Sequence, residues 1–123
     1  MEEQREARGV HNPKVVDLIS LDRERGEVVL LMLERRPWGS TPEQLRQVEA
    51  KFNGYLSYAL DGFLAAQYPD YAGKPVCIRL DCVMPPGDEE RALFSAMQGF
   101  ANTVEIRFEV NVIQAELAAS KST

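Results

Sequence analysis

The chain has 123 residues, one domain's worth at about 100–200 residues per core. Hydrophobic residues are 45% and charged residues 27%, a globular rather than a disordered composition, and nineteen acids against fourteen bases leave a net charge of −5. That balance argues against nucleic acid or an anionic membrane surface as partner, since both need a basic patch, and a single histidine with two cysteines leaves most catalytic and zinc templates short of parts.

Residues 1–13 read as a flexible N-terminal arm, residues 14–113 as a single domain and residues 114–123 as a fraying tail. Met1–Gly9 is charged and does not read as a signal peptide. The longest apolar run, Val28–Leu33, is far short of the ~20 residues of a membrane span, and two cysteines on opposite faces of one strand suit a reducing compartment, so the expected location is the cytoplasm.

Val15–Leu21 and Glu27–Glu34 are aliphatic, β-branched runs. Asp22 can hydrogen-bond its own turn and Gly26 can supply a positive φ, so the two runs predict a β-hairpin. After a loop at Arg35–Ser40, Thr41, Pro42 and Gln44 predict a capped helix start, and the stripe Leu45, Val48, Phe52, Tyr55, Leu56, Ala59, Leu60 and Phe63 predicts one helix over Pro42–Ala66, with a break at Gly54 as the alternative. A third strand is expected over Val76–Met84, with Val76, Ile78, Leu80 and Cys82 on one face and Cys77, Arg79 and Asp81 on the other. Asp88 is the expected cap of a second helix, which covers only Glu89–Gln98 if Gly99 closes it; a fourth strand, Thr103–Ile113, alternates cleanly. The order ββαβαβ implies an α+β two-layer sandwich, a four-stranded sheet with two helices on one face. Strand order stays open between a parallel and an antiparallel last pairing.

Asn12–Ser20, Asp22 and Gly26–Leu30, followed by Phe52–Ser57 and Arg107–Val110, resemble a group of small bacterial proteins catalogued only as a domain of unknown function. The resemblance spans roughly residues 11–113. It implies a bacterial, cytoplasmic protein of one domain, and it transfers no catalytic residue, cofactor or ligand.

No catalytic, cofactor or metal site is expected. His11 lies at the end of the arm and lacks an obvious nucleophile partner. Cys77 is expected half-exposed and Cys82 buried. Asp81, Glu105 and Glu109 fall on polar strand faces and could form a carboxylate cluster for acid–base chemistry or magnesium, but Arg79 and Arg107 share those faces and cross-strand ion pairs explain the pattern as well. Asp17, an acid among aliphatics, suits an edge strand or a small polar pocket; the edge is favoured. Arg35, Arg36 and Trp38 make a candidate ligand loop, weighed against simple packing of Trp38 on the sheet end.

The hairpin stands out. Val28, Leu30 and Met32 point one way and Val29, Leu31 and Leu33 the other, so two helices on one face leave apolar surface uncovered. The favoured reading is a non-enzymatic protein-interaction module, a homodimer or a binder of another protein, using Val29, Leu31, Leu33, Val15, Ile19 and Leu21. Self-coverage by the arm, the tail or the Trp38 loop is the alternative for the patch. A small enzyme or ligand-binding protein using Asp81, Glu105 and Glu109 is the alternative function.

Overall fold

The computed structural model describes residues 17–113. The arm, the tail, His11 and Val15 lie outside the described residues. The elements are β1 (Leu18–Asp22), β2 (Glu27–Glu34), α1 (Gln44–Leu60), α2 (Phe63–Gln67), a 3-10 turn at Pro69–Tyr71, β3 (Val76–Cys82), α3 (Asp88–Thr103) and β4 (Arg107–Val112).

The sheet runs β1-β2-β3-β4. β1 and β2 form the expected hairpin, with Leu18 opposite Leu31 and Asp22 opposite Glu27. Asp22 Oδ1 accepts from the N–H groups of Glu24 and Arg25, and Gly26 takes a φ of 64°, so the turn closes as its residues predict. β2 is parallel to β3 and β3 is parallel to β4. Parallel neighbours need crossovers, and the helices that make them, α1 and α3, pack on the same face of the sheet, against Leu30, Ile78 and Phe108. This settles the open pairing of the last strand as parallel.

One hydrophobic layer fills the space between helices and sheet. Val28, Leu30, Met32, Ile78, Leu80 and Phe108 rise from the strands to meet Val48, Phe52, Tyr55, Leu56, Phe94, Met97 and Ala101. Each large side chain buried there contributes about 1.5–3 kcal/mol before the entropy of ordering it is deducted. Phe108 is central, edge-on to Phe52 at 5.2 Å and to Phe94 at 6.3 Å.

Several boundaries move. The long helix breaks at Gly62, whose φ of 92° suits only glycine, and Gly54 passes inside α1 without consequence. Thr41 does not cap α1: Glu43 occupies that position without a side-chain bond. Gln44 does reach back, accepting from Gly39 N–H at 2.7 Å and Ser40 N–H at 3.3 Å while donating to Pro37 O at 3.1 Å. Gly87, not Asp88, caps α3, its N–H donating to Glu90 Oε1 at 2.7 Å. α3 runs through Gly99 because Met97 and Ala101 continue its buried stripe. The extra helical turn delays β4 to Arg107, and Glu105 sits before it with a φ of 62°.

Candidate functional site: the open face of the sheet

The face away from the helices is laid out by the strand registers. One row runs Ser20, Val29, Cys77, Arg107; the next runs Leu18, Leu31, Arg79, Glu109; a third carries Leu33, Asp81 and Asn111. Chain chemistry therefore splits the face into an apolar half on β1 and β2 and an ionic half on β3 and β4.

The ionic half is tied to itself. Arg107 reaches from β4 across β3 to Glu27 at the start of β2, with Nε 3.0 Å from Oε2 and Nη2 2.8 Å from Oε1, and its Nη1 meets Glu109 Oε1 at 2.7 Å. The two carboxylates raise the Arg107 pKa further above its ordinary value. Arg79 Nε donates to Asp81 Oδ1 at 3.0 Å, and Asn111 Nδ2 donates to the same oxygen at 3.2 Å. Glu105 stands apart, exposed in its positive-φ turn. The three acids read as a possible cluster thus do not converge: two are engaged by arginine and the third is off the strand. Among the described residues no three His, Cys, Asp or Glu side chains are grouped as metal ligands.

Cys77 lies on this face between Val29 and Arg107 and is fully buried, not half-exposed. The Arg107–Glu27 bridge crosses its strand, which the residue pattern of β3 alone does not reveal. Burial pushes its thiol pKa up to about 12, the neighbouring Arg107 opposing. Cys82, on the helix side, is pushed up to about 11 by burial, with Asp81 and Glu34 adding to the shift. Both cysteines are free, as their opposite faces require.

On the apolar half, Val29 and Leu31 are each 7% exposed, Leu33 is half-buried and Leu18 is 53% exposed. Ile19 and Leu21 are not here: opposite Leu30 and Val28, they pack against the core. Leu18 takes their place. A strand apolar on both faces gives no alternation to follow, and the Arg23–Gly26 turn decides the parity.

The loop residues diverge. Arg36 forks onto Glu34, with Nε–Oε2 2.9 Å and Nη2–Oε1 2.8 Å, and also donates to Gln47 Oε1, so it is anchored rather than solvated. The Glu34 bond raises its pKa. Arg35 is exposed. Trp38 packs edge-on against Phe94 at 5.5 Å and donates from Nε1 to Met84 O at 2.8 Å. No stacking platform with flanking cations results.

One constellation was not legible as such. Asp17, immediately before β1, is buried and not edge-exposed. Lys51 Nζ contacts its Oδ1 at 2.7 Å, Leu33 N–H donates to its Oδ2 at 2.8 Å, and its own N–H donates to Tyr55 Oη at 2.9 Å. Tyr55 Oη in turn donates to Leu31 O at 2.7 Å. Lys51 and Tyr55, one turn apart on α1, thereby bolt the start of the hairpin to the helix layer. The signal lay in Lys51 falling in phase with Val48, Phe52 and Tyr55.

With this geometry in view, the chain matches the family of unknown function DUF6572 over residues 8–114. It belongs to that family. No curated protein and no solved structure matches it. The DUF6572 match takes in every residue of the open face and of the Asp17–Lys51–Tyr55 cluster. No described helix is long and apolar enough to cross a membrane.

Proposed function

We propose that this DUF6572 protein works by protein contact rather than catalysis, as a homodimer formed through the apolar half of its open sheet face. The observation that carries this reading is Leu18, a large aliphatic side chain 53% exposed beside Leu31 on the face that neither crossover helix covers, where Val29 and Leu31 are already buried and Leu33 is half-buried, so Leu18 is the contact such a dimer would centre on. The ionic half supports it from the other direction, because Asp81 and Glu109 are engaged by Arg79 and Arg107 and are not gathered in a cleft. A twofold axis over the hairpin would place like apolar residues against each other, the self-complementary arrangement that dimers use.

Sedimentation of the full chain at micromolar concentration tests the reading. The expected result is a dimer that Leu18→Glu converts to a folded monomer with an unchanged circular dichroism spectrum. A wild-type monomer throughout that range overturns it, as does a dimer indifferent to Leu18→Glu.

A further inference from the structure

We infer that the cavity at the carboxyl ends of α1 and α3 binds a free α-amino acid with an apolar side chain, its ammonium group at Glu105 and its carboxylate at Lys74. The cavity holds about 450 Å³ and lies where α1 closes on Leu60, β3 opens on Val76 and α3 turns into β4. That volume falls among the roughly 300–1,000 Å³ of small-molecule sites. Glu105 and Lys74 both line it.

Glu105 is the first pointer. α3 ends in a turn in which Glu105 N–H donates to Asn102 O at 3.1 Å and Ile106 N–H donates to Ala101 O at 2.9 Å. Such a turn needs a residue at positive φ, and glycine is its usual occupant. Here φ is 62° and the residue is glutamate, the one non-glycine residue at positive φ among the described residues. Its side chain is exposed and forms no ion pair among them, so the turn gains nothing from it. A carboxylate kept where the backbone favours glycine points to a use for the carboxylate.

The surrounding backbone selects a cation. The last helical bond of α1 runs from Asp61 N–H to Ser57 O, so the carbonyls of Ala59 and Leu60, beyond it, have no partner within α1. Ala59 and Leu60 line the cavity, and Val104 brings the end of α3 to it. Helix carboxyl ends carry negative partial charge, and two of them meet here beside Glu105. An ammonium group, with three donors, complements such a set of acceptors.

Lys74 sets the second requirement. It is exposed and pairs with neither Glu105 nor any other acid among the described residues. A purely cationic occupant would be repelled by Lys74, and a purely anionic one by Glu105 and the helix ends. A zwitterion satisfies both. In a free amino acid the two charged groups share one carbon, so a cavity of this size holds both together with the side chain, for which Leu60, Val76 and Ile106 supply apolar walls. The cavity shares no residue with the apolar half of the open face, so its test stands apart from that of the dimer.

The test titrates the full ¹⁵N-labelled chain with L-leucine, and in parallel with N-acetyl-L-leucine and L-leucinamide, each of which lacks one of the two charges. L-leucine is expected to shift the amide resonances of Gly73, Lys74, Glu105 and Ile106, and each derivative to bind about tenfold more weakly. Glu105→Gln should bring L-leucine down to the level of the acetylated compound, and Lys74→Met to that of the amide. Glu105→Gly separates a ligand role from a structural one, because it relaxes the turn: the urea midpoint is expected at or above that of the wild type while L-leucine binding falls about tenfold. No shift at these four amides by about 10 mM L-leucine overturns the inference. So does equal binding of the three compounds, or L-leucine binding that Glu105→Gln leaves intact.

Discussion

Lys51 and Asp17 meet at 2.7 Å, Nζ to Oδ1, with both side chains completely removed from solvent. Two charges taken out of water stabilise each other only while both are present and their remaining hydrogen-bonding capacity is met. Here the aspartate also accepts from the backbone of β2 and the cluster extends to Tyr55, so one electrostatic knot joins the chain before β1, the second strand and the first helix.

Removing one partner should therefore cost more than removing both. Lys51→Met leaves a buried carboxylate and is expected to destabilise the chain by about 3–5 kcal/mol. The double variant D17N/K51M keeps an acceptor for Leu33 N–H and no buried charge, and should recover a large part of that loss. Urea denaturation midpoints of the three proteins give the comparison.

Tyr55→Phe keeps the ring in the core and deletes only the hydroxyl. Asp17 N–H loses its acceptor and Leu31 C=O a donor. A cost of about 1–3 kcal/mol per buried group left unpaired is expected. Faster hydrogen exchange at the Asp17 amide, with the far-ultraviolet spectrum unchanged, identifies the effect as local.

The two thiols should be inert and should set an alkaline limit. With pKa values raised from an ordinary 9.0 to about 12 and about 11, Cys77 and Cys82 stay protonated in the folded chain at pH 8, and alkylation should proceed only through unfolding. Between pH 9 and these values the unfolded chain binds fewer protons than the folded one, so stability falls as pH rises. The contribution of these groups is flat below the unfolded pKa. Arg107→Ala removes the bridge across β3 and should make Cys77 the faster-reacting thiol, read by mass spectrometry of the labelled peptides.

Gln44 gives a spectroscopic test of the loop. Its amide holds Pro37, Gly39 and Ser40, the residues around the single tryptophan. Gln44→Ala should loosen Trp38 from Phe94, shift its emission to the red and cost about 1–3 kcal/mol.

The fold was legible where one face is polar. β3 and β4 alternate, the crossover helices carry stripes of apolar residues, and the hairpin turn announces itself in Asp22 and Gly26. What was not legible depends on distance along the chain. Asp17 is an anomaly in an apolar run until Lys51 is placed beside it, and only the phase of Lys51 with Val48 and Tyr55 hints at that meeting. Cys77 looks half-exposed until Arg107 and Glu27 close over it from two other strands. Leu18 rather than Ile19 faces outward because the register of the hairpin, not the composition of β1, decides the parity.

The sheet order β1-β2-β3-β4 repeats the order of synthesis. Each strand after β1 emerges directly after a neighbour it pairs with, and each crossover helix is complete before the next strand needs its cover. No strand must wait for a later one to be inserted between it and its partner, so the sheet can grow at one edge as the chain leaves the ribosome. On this route every intermediate exposes the strand just made, and among the described residues β4 is the last strand to join.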